Sequence, residues 1–356
     1  FNDSTALTYS LPVAWDRTGY TFKGWSTTAN GTVATSYSVT ADDDLYAIWE
    51  LNSYTITYTP NLGTGSSAAQ SYNYGATNAL GYSSGFTRTG YNLSGWSQTS
   101  SGTVLGSYTV SQSETLYAIW TLKSYTITYH NNFGTPTTAT QTLNHFDTTA
   151  LSFALPSGAN WTNTGYTFLG WSTTSGGSVA GSYTVSGAAN LYAVWQAINY
   201  AIVYDINDGS VSPATVSHNF AFGSTTALAY STGFSRTGYT LDGWTDTSRT
   251  GTKLASYTVS GGATLYAKWI AGSNPVIFNK QNGTADINST YLTGGSIADP
   301  NATPVLAGNR FVGWFTASSG GTQITSWPYA PGGVGTVTLY GQWTPYIVTF
   351  ALGNGG

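Results

Sequence analysis

Three imidazoles, at His130, His145 and His218, are the side chains best suited to general acid–base chemistry or to holding a transition metal. Either task needs partners converging at hydrogen-bonding range, and none of the three stands beside a recognisable nucleophile or a metal-ligand spacing. Each is read as solvated structure in a polar loop. The run Asp42-Asp43-Asp44 offers clustered carboxylates of the kind calcium takes, but a solvated turn is the preferred reading. Cysteine is absent, which excludes disulfides, thiolate metal sites and thiol chemistry. Five lysines, Lys23, Lys123, Lys253, Lys268 and Lys280, are the stock from which intramolecular Lys–Asn or Lys–Asp cross-links are made. The aromatic side chains, 13 Trp among them, have two readings: exposed ones stack on sugar rings, and buried ones fill cores. The sequence thus predicts no catalytic, cofactor-binding or metal-binding residues and no cofactor.

Composition limits the partners. Charged residues are 7% of the chain, 14 acidic against 10 basic, so neither a nucleic-acid footprint nor a polybasic membrane patch is available. Low charge without aromatics would mean disorder, but 27 Tyr and 14 Phe join the Trp residues and supply a core. Gly, Thr, Ser and Asn beside those aromatics describe a mainly β protein with many turns. At 356 residues the chain exceeds what one core usually serves, so several units are expected. No long apolar run predicts membrane insertion. A chain opening on Phe1 without methionine is expected to be a processed or excised segment.

The elements that position these side chains recur. A Leu-Tyr-x-x-Trp segment closes at Trp49, Trp120, Trp195, Trp269 and Trp343, in steps of 71, 75, 74 and 74 residues. Upstream of each lies a Gly-Trp pair, at Trp25, Trp96, Trp171, Trp244 and Trp314. Opening segments run Tyr54–Tyr58, Tyr125–Tyr129, Tyr200–Tyr204, Asn274–Phe278 and Tyr346–Phe350. The expected organisation is an incomplete repeat over 1–50, repeats over 54–120, 125–195 and 200–269, a diverged repeat over 274–343, and the opening strand of another over 346–356. These ten tryptophans are expected to form the cores of units small enough to need large side chains. Candidates for exposed, sugar-stacking Trp are the non-repeated Trp15, Trp161 and Trp327. No His recurs in every repeat and no two lysines share an aligned position, so a systematic cross-link is excluded and Lys268 is left as an isolated candidate.

Alternation makes the markers strands: Tyr54, Ile56 and Tyr58 fall on one face, as do Leu45, Ala47 and Trp49. Across repeats the opposite face of the closing strand varies from Ile48 to Lys268 to Gln342, so it is expected to be partly solvated. Trp25 follows Phe22 at the wrong parity, which predicts a bulge at Gly24. Stretches such as Thr148–Phe153 and Thr225–Tyr230 suggest a short helical turn, and parallel opening and closing strands would need the crossover that contains it. Arg17, Arg88 and Arg236 precede Thr-Gly-Tyr turns, where a local stack or pair is expected.

Four residues separate each of the first four closing Trp residues from the next opening segment, and two, Thr344 and Pro345, separate the last, which predicts touching units and an elongated, semi-rigid array. At the ends, Phe1 aligns with Phe146, so the first unit lacks an opening strand while Tyr346, Val348 and Phe350 form one without a unit. Two readings follow: head-to-tail polymerisation by strand donation, or a piece of a longer chain whose repeats continue. A head-to-tail junction would be about ten residues short of the internal spacing, which favours the second.

The segments Arg88-Thr-Gly-Tyr-Asn-Leu-Ser-Gly-Trp96, Arg17–Trp25, Asn163–Trp171 and Arg236–Trp244, with the closing Leu-Tyr-Ala-x-Trp, resemble the Listeria-Bacteroides repeat of internalin-like surface proteins. The resemblance implies a β-grasp-like unit used as a non-catalytic stalk, fibre or adhesin module, extracellular, on the cell surface or in a secreted filament. The expected partners are neighbouring repeats or further copies, with a glycan or host-surface ligand as the alternative, and no nucleic acid. The fourth full repeat departs from the pattern at Asn274, Asn309 and Trp327-Pro328.

Overall fold

A computed structural model describes residues 15–351 and 353, except 40, 84, 232 and 247. The expected start of the first repeat at Phe1 lies outside the described residues. In the described chain, Tyr20–Ser26 (β1) pairs antiparallel with Tyr46–Leu51 (β2). Repeat two contains Ser53–Thr59 (β3), Ala68–Asn73 (β4), Tyr91–Ser97 (β5) and Glu114–Leu122 (β6). Repeat three contains Ser124–His130 (β7), Thr138–Asn144 (β8), Tyr166–Ser172 (β9) and Ala189–Ala197 (β10). Asn199–Asp205 (β11), Thr215–Ala221 (β12), Tyr239–Thr245 (β13) and Ala263–Ala271 (β14) make repeat four. Ser273–Asn279 (β15), Ile287–Leu292 (β16), Asn309–Phe315 (β17) and Val337–Pro345 (β18) make repeat five. The fold is thus a tandem series of small β units. Packing divides it into two bodies, one of the described residues up to Thr162 with Phe168–Val194, the other of Asn163–Thr167 with Trp195 onward.

One sheet order serves every complete repeat: second strand, first, fourth, third, as in β4-β3-β6-β5. The opening and closing strands are the central, parallel pair, Ile56 opposite Glu114 and Tyr58 opposite Leu116, and the outer strands join them antiparallel. Central parallel strands bury one full face, so Ile56, Tyr58, Leu116 and Ala118 are fully buried with Trp96, Ala79 and Val110. Repeat four repeats this core at Ile202, Tyr204, Leu265, Ala267, Trp244, Ala227 and Val259.

The bulge recurs: register shifts between Phe22 and Gly24, Leu93 and Gly95, Leu241 and Gly243, and Phe311 and Gly313. It brings Trp96 opposite Ala118 on the core face. Gly95 has φ +151°, and a Cβ there would stand 2.6 Å from Val104 Cγ1, so both the backbone and the space call for glycine.

The helical turns are 3₁₀ segments at Ala79–Gly81, Thr149–Ser152 and Thr226–Ala229. Each is tied to the opening strand by a core phenol: Tyr58 donates to Ala79 O at 2.7 Å, Tyr129 to Ala150 O at 2.8 Å and Tyr204 to Ala227 O at 2.7 Å. Burial pushes the Tyr129 phenol up to about 12 and the Tyr58 and Tyr204 phenols higher still, so all three stay neutral donors. Repeat five carries Phe278 at this place, without the hydroxyl.

Spacing between repeats differs from the sequence expectation. β2 ends at Leu51 and β3 begins at Ser53, so one residue, Asn52, is the joint. Lys123, Ile198 and Gly272 hold the same place further on. Residues after the closing Trp are still paired with the third strand, as Leu122 is with Tyr91, which uses up the apparent linker.

Candidate functional site: the joint between repeats

The joint residue turns the chain from one sheet into the next and bonds on both sides. Asn52 N–H donates to Gly19 O at 2.9 Å, and Asn52 O accepts from Tyr74 N–H at 2.8 Å. Lys123 does the same with Gly90 O and His145 N–H, both at 2.8 Å, and Ile198 with Gly165 O and Phe222 N–H, both at 2.8 Å. Gly272 repeats it with Gly238 O at 2.7 Å and Thr293 N–H at 2.9 Å. Two backbone bonds therefore link every pair of neighbouring repeats through one residue.

A side chain then closes the joint from the second strand's end. The Tyr74 ring lies so close to Gly19 that a Cβ on the glycine would fall 2.0 Å from it, and for Gly90 against His145 and Gly165 against Phe222 the distances are 2.3 and 2.2 Å. Each of these glycines also has φ near +80°. On its other side the ring meets the first aromatic residue of the opening strand, Tyr54 at 6.5 Å from Tyr74, Tyr125 at 5.9 Å from His145 and Tyr200 at 6.4 Å from Phe222.

Between repeats four and five both aromatics are gone together. Thr293 fills the plug position and Asn274 the strand position, and the buried Asn274 Nδ2 donates to Thr293 Oγ1 at 3.0 Å. Asn274 Oδ1 accepts from Gly335 N–H at 2.8 Å. The divergence noted at Asn274 is thus a paired replacement of a ring contact by a hydrogen bond.

The expected core tryptophans separate into two kinds. Trp96, Trp171, Trp244 and Trp314 are buried at 1 to 5% exposure, whereas Trp25 and the closing Trp49, Trp120, Trp195, Trp269 and Trp343 are half-buried. Trp120 Nε1 donates to Pro60 O at 2.9 Å and Asn61 O at 3.1 Å, Trp269 to Ile206 O at 2.7 Å and Trp343 to Lys280 O at 2.9 Å. The closing Trp pins the loop after the opening strand, a role its sequence position did not reveal.

Expectations for the remaining polar and aromatic residues divide similarly. Arg17, Arg88 and Arg236 do stack, 3.8, 3.8 and 4.0 Å from the centroids of Tyr20, Tyr91 and Tyr239. His130 and His218 lie in strands rather than in polar loops, and His145 lies in the turn after β8. His130 ends β7 and stacks on Tyr192 at 4.7 Å, His218 in β12 stacks on Tyr230 at 5.2 Å, and His145 is buried in the joint with Nδ1 lacking a hydrogen-bond partner. Of the non-repeated tryptophans Trp15 is exposed, but Trp161 packs on Trp171 at 6.2 Å with 8% exposure and Trp327 lies 6.0 Å from Phe278. The Trp161 ring is therefore no free face for a sugar, and Trp327 is half-buried. Asp43 accepts from Tyr37 OH at 2.7 Å, and Lys268 Nζ donates to Gly251 O at 3.1 Å. Among the described residues no group of three potential ligands gathers for a metal, and no helix is long and apolar enough to cross a membrane.

Tyr346, Val348 and Phe350 lie outside any strand and are 65, 73 and 90% exposed. Tyr346 N–H donates to Gly308 O at 3.0 Å, the bond that Asn52 makes to Gly19. Counted from that joint position, Val348 rather than Tyr346 stands where Tyr54 does.

Recurring four-stranded mixed units, sharing one joint geometry and no convergent catalytic set among the described residues, define a tandem-repeat β protein. The family model of the Listeria-Bacteroides repeat domain matches residues 4–48, 54–119, 125–194, 200–268 and 275–342, and the chain belongs to that family of repeats from bacterial surface proteins. It is 29% identical over 282 residues to a protein of Evansella cellulosilytica provisionally named a membrane protein, covering 74% of this chain and 40% of that one. A second Evansella protein, provisionally named a Gly-rich membrane protein, is 25% identical over 371 residues, covering 96% of this chain and 40% of its own length. Internalin H of Listeria monocytogenes is 32% identical over 150 residues, 41% of this chain and 25% of that protein. The chain therefore spans two-fifths or less of the relatives it matches.

Proposed function

We propose that this chain is a non-catalytic spacer segment, a stalk or adhesin shaft, on the outside of a bacterial cell. The observation that carries the reading is the joint: one residue, two backbone hydrogen bonds and a glycine seated on a plug, repeated from Asn52 to Gly272. Flexible tethers between domains use several unbonded residues. A bonded single-residue joint holds neighbours in register and passes load between them, which is what a spacer does. Membership in a family of surface-protein repeats supports the extracellular location.

Pulling single molecules of the chain from both ends tests this. Expected is a series of separate rupture events, each releasing roughly 250 Å of chain, as about 74 residues extend at ~3.4 Å apiece. Smooth extension without resistance sinks the load-bearing role. Strand donation between copies is a second role the exposed Val348 and Phe350 would serve. It predicts concentration-dependent fibres that vanish when 346–356 are deleted.

A further inference from the structure

Ten Lys and Arg residues serve the whole chain, yet three of them, Arg236, Arg249 and Lys268, line one open depression of about 320 Å³ on repeat four. Trp269, Asn207, Thr250, Gly209 and Ala267 complete its wall. That volume is at the small end of ligand pockets. In a chain of net charge -4, gathering cations in a concave place focuses positive potential there.

Internal repetition shows that the fold does not require these cations. The Lys268 position is Ile48, Ile119, Val194 and Gln342 in the other repeats. Arg249 offers its carbonyl to Asn207 Nδ2 at 2.7 Å, the bond that Ser100 O makes to Asn61 Nδ2 at 2.7 Å, so a serine serves the same backbone role in repeat two. Only the stacked Arg236 has counterparts, Arg17 and Arg88.

The cations are held in place. Asp205, 5% exposed, accepts from Asn207 N–H at 2.7 Å through Oδ1, which steadies the carboxylate, and from Arg249 Nη2 at 3.0 Å through Oδ2, which orients the guanidinium. Arg236 lies over Tyr239 and reaches Asn207 O at 3.4 Å, and Lys268 Nζ holds Gly251 O at 3.1 Å. Hydrogen bonds from Ser210 hold the exposed Asp208 carboxyl below the usual range, and the charge of Arg236 adds a smaller effect in the same direction. Three cations thus face two nearby carboxylates, one of them buried and committed. Each described contact uses one N–H, whereas an arginine has five and a lysine three. Preset guanidinium forks suit carboxylates and phosphates, and a tryptophan in the wall suits the apolar face of a pyranose.

We infer that this depression on repeat four binds an anionic saccharide, a sugar ring bearing a carboxylate or a phosphate. It gives one repeat a ligand and leaves the spacer role of the joints unchanged, so pulling experiments neither support nor undermine it. The test is calorimetric titration of the chain with galacturonate tetrasaccharide, glucose 6-phosphate, maltotetraose and inorganic phosphate. The variant is Lys268→Gln with Arg249→Ser, residues that repeats five and two already use at these places. One of the two anionic sugars is expected to bind, which names the anion, and maltotetraose is not. The double variant leaves the buried Asp205 without its cation and is expected to unfold at a lower temperature, so binding is compared where circular dichroism shows it folded; there it should weaken that binding about tenfold or more, and added salt should weaken the parent protein's binding. The inference is overturned if neither anionic sugar binds, if the double variant binds as tightly, or if inorganic phosphate alone matches the sugar.

Discussion

Phe146 stands in a conformation that its counterparts give to glycine. Its φ is +71°, where Gly75, Gly223 and Gly294 have +80°, +80° and +75°. The geometry is needed because this residue's N–H reaches across to the crossover, Phe146 to Val185 O as Gly75 to Val110 O and Gly223 to Val259 O, each at 2.8 Å. A side chain in the left-handed region costs about 1–2 kcal/mol, and the Phe146 ring is 52% exposed, so its contact with His145 at 4.1 Å recovers only part of that. Phe146→Gly should therefore stabilise repeat three by about 1 kcal/mol in urea denaturation, set by the backbone term. A loss of stability would show that the half-exposed ring contributes more than its conformation costs. The Arg–Tyr stacks were legible at this scale because both partners lie within four residues. His145 was not, since nothing near it in sequence places it against Gly90.

Whatever depends on alternation along one strand could be read directly. The parity of Trp25 after Phe22 demanded a bulge, and the bulge stands at Gly24 and its equivalents. Alternation also placed the closing Trp on the core face, but how deeply it sinks depends on the loop above it. Trp96 is 2% exposed among seven buried residues of its core, while Trp120 is half-buried at the edge, bonded to Pro60 and Asn61 carbonyls. Trp96→Ala should cost roughly 3–5 kcal/mol, as for large aromatic truncations in a packed core. Trp120→Ala should cost distinctly less, because water reaches the carbonyls it frees. Guanidinium titration of each variant, following repeat two by its own signals, checks the order. Equal or inverted costs would mean that pinning the loop outweighs filling the core. The pairing of Leu122 with Tyr91 lies beyond the reach of strand patterns, so a four-residue gap in sequence concealed a one-residue joint.

At the scale of the array the question is whether neighbouring repeats are independent. The joint was invisible as a unit because it draws on three distant places, Gly90, Lys123 and His145 for repeats two and three. A glycine six residues before each Gly-Trp tryptophan was the signal that could have found it. Gly90→Val tests the coupling, since the glycine has φ +78° and a Cβ would meet His145 Cδ2 at 2.3 Å. The ring must leave its seat, and the substitution should cost about 1–3 kcal/mol, the range of strained-backbone and steric changes. Gly90 belongs to neither core, so both repeats should stay folded while the joint opens. Residue-resolved hydrogen exchange then shows faster exchange at the amides of Lys123 and His145, with Ile56 and Ile127 still protected. Repeats joined by nearest-neighbour contacts lose only the interface term in this way. Protection lost together at Ile56 and Ile127 would make the two repeats one cooperative unit, and unchanged exchange at Lys123 would leave the joint without energetic weight.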